Sequence, residues 1–167
     1  MAKIETLQEL YVDELADLWS ANDQMAKALK KIAKHATDPK LKDMLQASQD
    51  GIAKHTDVLK ALIEGQGEKP KKEHCKGMEG LAAEALKHTV EDAPKSGPVL
   101  DAAIIAQYQR MTHYGITGFG TVAAFAKALK LNDDVDKLEA AVADMHRGDD
   151  MMSELAESAV NVEAVEV

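Results

Sequence analysis

Apolar residues recur along this chain in alternating steps of four and three, the spacing of a seam on a long α-helix packed against others. The first such run is Tyr11, Leu15, Leu18, Asn22, Met25, Leu29 and Ile32. It follows Thr6-Leu7-Gln8-Glu9, where the threonine can cap the first turn and the glutamate can reach back to the cap. A second run, Leu41, Leu45, Ser48, Ile52, His55, Leu59 and Leu62, opens on Asp38-Pro39 and closes at Gly65-Gln66-Gly67. Ser96-Gly97-Pro98 opens a third, with Ile104, Tyr108, Met111, Gly115, Gly118, Val122, Phe125 and Leu129 on its seam. The fourth begins around Asn132 to Asp134 and carries Val135, Leu138, Val142, Met145, Asp149, Met152 and Ala156. Between the second and third, Cys75, Met78, Leu81 and Leu86 mark a shorter amphipathic helix that ends before Pro94. It is reached through a basic linker, Lys69-Pro70-Lys71-Lys72, read as solvated. The stretch from Val160 to Val167 alternates only weakly and predicts a frayed tail or a partner contact.

These elements predict an all-α chain, with one helical bundle over residues 1–160 and a C-terminal tail over 161–167. Short loops let the helices of each long pair run antiparallel. The longer connection from Glu68 to Pro98 lets the second and third long helices lie parallel. The pattern is that of a ferritin-like four-helix bundle with one long crossover, which here carries a short fifth helix.

Each seam is interrupted near its middle, at Asn22, at Ser48 to His55, at Gly115 and at Asp149. In such a bundle these midpoints fall at one height, where ferritin-like proteins hold two iron ions with Glu and His side chains. The seams as drawn offer His55 and Asp149 and no Glu, whereas two divalent ions in a low-dielectric core need several carboxylates. Asn22 is therefore read as a buried polar residue that fixes helix register. His55 is read as a satisfied core histidine; Asp149 is read as paired with it, since it would be costly to bury alone, or as solvated if the seam is rotated. His113 and His146 fall beside the seams, at a helix boundary or the periphery. Met145, Met151 and Met152 are read as packing rather than as a thioether metal site. Cys75 is read as a small core residue of the connecting helix. Gly115, Gly118 and Gly120 allow a neighbouring helix to come close, within the chain or from a partner.

Composition narrows the function classes. The chain has 167 residues, 46% hydrophobic, with a formal net charge of -9. That charge disfavours nucleic acid and anionic membrane as partners. The single cysteine excludes an intrachain disulfide framework and a thiolate-only zinc site. No apolar run approaches the ~18 residues of a membrane span, and the first residues hold no hydrophobic signal segment, so a cytoplasmic location is expected. No nucleophile–base arrangement or nucleotide fingerprint is present, and Gly77-Met78-Glu79-Gly80 lacks the strand context of a phosphate loop.

The run from Leu10 to Met25, reading LYVDELADLWSANDQM, resembles the opening of the bacterial stress-associated, ferritin-like proteins of the YciF/YciE type, the DUF892 family. Cys75-Lys76-Gly77-Met78-Glu79-Gly80-Leu81 with Glu84, Asp101 to Gln107, and His113-Tyr114 followed by Phe119-Gly120 continue the resemblance over nearly the whole chain. It implies a ferritin-like fold, homodimerisation and a stress-linked role. It also implies where metal-binding carboxylates would stand. The family pattern has Glu where this chain has Asn22, Glu residues where it has Thr112 and Gly115, a Glu at about Met145, and a Glu-rich turn at Asp50-Gly51.

The expectation is thus a non-enzymatic, stress-associated member without an intact di-iron centre. It would act through a homodimer, a higher homo-oligomer or a protein partner, with no metal or other cofactor. The alternative is a metalloprotein whose residual iron site draws on His55, Asp149 and Asp50 for iron or peroxide chemistry. A DNA-protecting cage is disfavoured by the charge and the missing ligands.

Overall fold

The fold is described from a computed structural model, for residues 4–68 and 73–167; the Lys69 to Lys72 linker lies outside the described residues. Four long helices, α1 (Leu7–Ile32), α2 (Pro39–Gly65), α4 (Pro98–Ala128) and α5 (Asn132–Leu155), make the bundle. The shorter α3 (Lys76–Leu86) sits in the connection, and α6 (Asn161–Val165) follows α5.

The boundaries follow the local signals. Thr6 accepts from the Glu9 amide at 3.1 Å while the Glu9 carboxylate accepts from the Thr6 amide at 2.9 Å, a complete capping box. Asp38 caps α2 through the Leu41 amide, with Pro39 in the first turn. Gly67 leaves α2 with φ +78°, and Gly97 enters α4 with φ +101°; both are backbone conformations that favour glycine.

Cross-helix pairs fix the topology. Gln8 at the start of α1 meets Gln66 just past the end of α2, so these helices are antiparallel. Thr37 and Asp38, leading into α2, meet Asp101 in the first turn of α4, and Ser48 meets Tyr108 further along, so α2 and α4 are parallel as the long connection predicts. Gln109 meets Ser153, which sets α4 and α5 antiparallel. Neighbours around the bundle run α1, α2, α5, α4, and α3 lies across the α1 and α4 side.

Cys75 is a core residue of the connecting helix, as read from the sequence. It stands at the N-cap of α3, with its sulfur 3.4 Å from the Met78 amide and 3.0 Å from the Tyr114 hydroxyl. Its amide donates to the Ser20 hydroxyl and its carbonyl accepts from Gln24. These bonds pin α3 over α1 and α4 and leave the opposite side, between α2 and α5, without a covering helix among the described residues.

The C-terminal segment is not frayed. It is helical, joined to α5 by a π-helical turn over Ala156–Val160, and it packs on α4. Val160 is buried in the core and Ala164 is half-buried, and they anchor a stretch whose remaining residues, 161–163 and 165–167, face solvent.

The core divides in two. One cluster, with Leu29, Leu41, Leu45, Leu100 and Ile104, fills the end shared with α3. The other, with Tyr11, Leu15, Leu59, Phe119 and Leu138, fills the opposite end. Between them lies the midpoint layer where the seams are interrupted.

Candidate functional site

A cavity of about 320 Å³ occupies this midpoint layer. Its inner wall comes from α1 and α4, through Ala21, Asn22, Met25, Tyr108, Thr112 and Gly115. Its mouth lies between α2 and α5, rimmed by the exposed Ala47, Lys54, Asp144, Arg147 and Met151. Small residues make the room: Gly51 on α2, Gly115 on α4 and Gly148 on α5 all line it.

The polar groups of this layer mostly satisfy one another. The Asn22 amide donates to the Thr56 hydroxyl at 3.3 Å, which ties α1 to α2, and Asn22 is a buried polar residue as expected. The Ser48 and Tyr108 hydroxyls are 2.9 Å apart. His55, only 8% exposed, lies on the edge of Phe119 with ring centroids 5.8 Å apart, and its Nε2 is 3.4 Å from the Asp144 carboxylate. Asp144 also pairs with Arg147 one turn on. Among the described residues, one group of this layer has no partner: the Thr112 hydroxyl is buried, on a residue 3% exposed, without a hydrogen bond.

Burial holds the His55 imidazole below its ordinary pKa; the hydrogen bond and charge of Asp144 act against this, and Lys54 adds a smaller downward push. The folded state therefore prefers the neutral ring. The unfolded chain binds the proton first as pH falls, so stability decreases on acidification from the ordinary histidine pKa down through the folded one. In His55→Gln this component is absent. Urea unfolding between pH 7 and pH 5 should show a steeper loss for the natural protein than for His55→Gln, and equal slopes would refute the assignment.

Asp149 does not pair with His55 and does not line the cavity. Its carboxylate, 13% exposed, receives His113 Nε2 at 2.8 Å and Gln109 Nε2 at 3.1 Å on the outer α4–α5 seam. The reason is a choice of neighbour along α5. Leu138, Met145 and Met152 lie on both candidate seams, and Ala141 and Gly148 take the inward places drawn for Val142 and Asp149, while Leu155 is buried alongside Ala156. On α4 Phe119 is buried as well, next to Gly118, which packs against Leu18 of α1. Asp50 is exposed on α2 and accepts from Gln46. His55, Asp149 and Asp50 thus face three separate surroundings.

Met145 and Met152 line the cavity, Met152 as part of the core, while Met151 is 55% exposed at the rim. His113 lies at the α4–α5 boundary as expected. Gly148, Asp144 and Thr112 were not on the seams drawn from sequence; a preference for the smaller residue at each ambiguous step of α5 would have found Gly148.

This layer stands where a ferritin-like bundle holds iron, and the residues present do not fit a dinuclear centre. Asn22, Thr112 and Tyr108 are neutral, Gly51, Gly115 and Gly148 have no side chain, and Met145 is a soft donor unsuited to hard, carboxylate-bridged iron. Among the described residues no three His, Cys, Asp or Glu side chains are grouped to hold a metal ion.

The helix order, the crossover and the midpoint layer define a ferritin-like bundle. The same fold occurs at TM-score 0.71 in a ferritin-like, diiron-carboxylate protein from Bacillus anthracis, 13% identical, over 91% of this chain and 99% of that one. Residues 6–165 match the family model described as domain of unknown function DUF892, and the chain belongs to that family. It is 28% identical over 162 residues to Protein YciF of Escherichia coli K12, covering 96% of each chain. The crystal structure of the E. coli stress protein YciF superposes at TM-score 0.88 over 95% of this chain and 99% of that one. YcfI of Rhodopseudomonas palustris, 31% identical, superposes at 0.85 over 91% and 96%. No helix among the described residues is long and apolar enough to cross a membrane.

Proposed function

We propose that this is a stress-associated ferritin-like protein that works without a di-iron centre, through self-assembly or binding of a protein partner. The observation that carries the reading is the donor set of the midpoint layer, where neutral and absent side chains stand in place of carboxylates. The likeness to a relative described as a stress protein supports the stress-linked role. The reading places the protein in the cytoplasm, and the acidic charge supports action away from nucleic acid and anionic membranes.

The test is metal analysis of protein purified from iron-supplemented cells. The expected iron content is far below one ion per chain. Stoichiometric iron that disappears in His55→Ala or Asp149→Ala would overturn the reading in favour of a residual iron site. Size-exclusion chromatography with light scattering tests assembly: a dimer or larger homo-oligomer is expected, and a monomer would leave the partner-binding arm alone.

A further inference from the structure

We propose that the midpoint cavity is a binding site for a small, uncharged aromatic molecule that carries one hydroxyl or carbonyl oxygen. This rests on the reading that no iron fills the layer.

Three observations converge on that chemistry. The first is size and access. About 320 Å³ falls within the range of small-ligand sites, and the α2–α5 side gives an entrance. The second is the lining. Six of the chain's eight methionines, Met25, Met44, Met78, Met145, Met151 and Met152, border this one cavity. Methionine is the side chain best able to fold into a gap, so a space left open among six of them is not a packing shortfall of rigid residues. Thioethers are polarisable and make favourable contacts with aromatic rings, as adaptable binding surfaces use them. The third is the Thr112 hydroxyl, which is buried, unpartnered and in the cavity wall. An unpaired buried hydroxyl carries a desolvation cost that a ligand oxygen would relieve.

Charge argues for a neutral ligand. The interior presents amide, hydroxyl and thioether groups and a histidine whose burial favours its neutral form. The charges stay at the rim, where Asp144 is bonded to both Arg147 and His55.

The probes are 2-naphthol and naphthalene, titrated into protein labelled at the methionine methyl carbons and followed by NMR. Saturable shifts are expected at Met25, Met145 and Met152, with Met111, a core residue outside the cavity, unmoved. Two variants assign the site. A Cβ at Gly51 meets nothing within 4 Å, so Gly51→Leu extends into open space while improving helix propensity. It should fold at least as stably as the natural protein and weaken both probes at least tenfold. Thr112→Val keeps the shape and removes the hydroxyl. It should weaken 2-naphthol about three- to tenfold, the value of one hydrogen bond, and leave naphthalene unchanged. The proposal is overturned by absent saturation, by natural-strength binding in Gly51→Leu, or by equal weakening of both probes in Thr112→Val. Iron-free protein that fails to bind 2-naphthol overturns the ligand site alone; stoichiometric iron overturns the functional reading beneath it.

Discussion

Replacing Asp101 by alanine is expected to destabilise the protein by about 3 kcal/mol, read as a lower urea midpoint at unchanged slope. Asp101 lies in the first turn of α4 and is 2% exposed. Its carboxylate accepts from the Thr37 amide at 2.7 Å and the Asp38 amide at 2.9 Å, and it also bonds the Thr37 hydroxyl. Alanine there would leave two backbone donors without their acceptor, and a bond to a charged acceptor contributes about 1.5–3 kcal/mol. The contact also joins the start of α2 to the start of α4, the two helices held parallel by the long connection. Asp101→Asn keeps one acceptor oxygen and should recover part of the loss. A change below about 1 kcal/mol in Asp101→Ala would show that water replaces the carboxylate and that the contact does not hold the helix ends together.

The second large effect is expected at Gly118. A Cβ there would lie 2.4 Å from the Leu18 Cδ2 atom of α1, and Leu18 is itself buried in the core. Gly118→Val should therefore cost about 2–3 kcal/mol through overpacking, although valine is the better helix former. Gly120, two residues on, is the control. A Cβ at that position meets nothing within 4 Å, so Gly120→Ala should gain up to ~1 kcal/mol from helix propensity. Thermal unfolding of the pair decides the matter: Gly118→Val at or above natural stability would mean that α1 and α4 can move apart at this contact without penalty.

These glycines show what a pattern can and cannot say. Gly115, Gly118 and Gly120 all suggest close approach by a neighbouring helix. In the fold Gly118 sits under Leu18, Gly115 under the Met145 sulfur at 3.1 Å, and Gly120 under nothing. The neighbour in both filled cases belongs to the same chain. Nothing local to the sequence distinguishes the three, because the distinction depends on the side chain that another helix brings.

The seams of α1 and α2 were legible except at Ser48, which is only half-buried. Tyr11, Leu15, Leu18, Met25, Leu29 and Ile32 are all buried, as are Leu41, Leu45, Ile52, His55, Leu59 and Leu62. On α5 Val142 and Asp149 looked like the inward residues, and packing placed the smaller Ala141 and Gly148 there instead, since close helix crossing favours whatever leaves room. That rotation moved Asp149 out to His113 and put Gly148 against the cavity. On α4 the seam as drawn passed over Phe119, which is fully buried. Asp101 was overlooked as a core group because it sits at a helix start, where the buried partners are backbone amides of a distant turn.

The helices, the Thr6 and Asp38 caps and a connection long enough for the second and third long helices to lie parallel could be read from the chain, because capping, periodicity and connection length are local properties. The sequence by itself also determined that the midpoint is poor in carboxylates. Only the tertiary structure decided which polar groups meet there. His55 pairs with Asp144 rather than Asp149, and Thr112 is left unpaired beside an open space, because these depend on the rotation of each helix about its own axis. That rotation is set by how side chains of four helices share one volume, and no single helix carries the information.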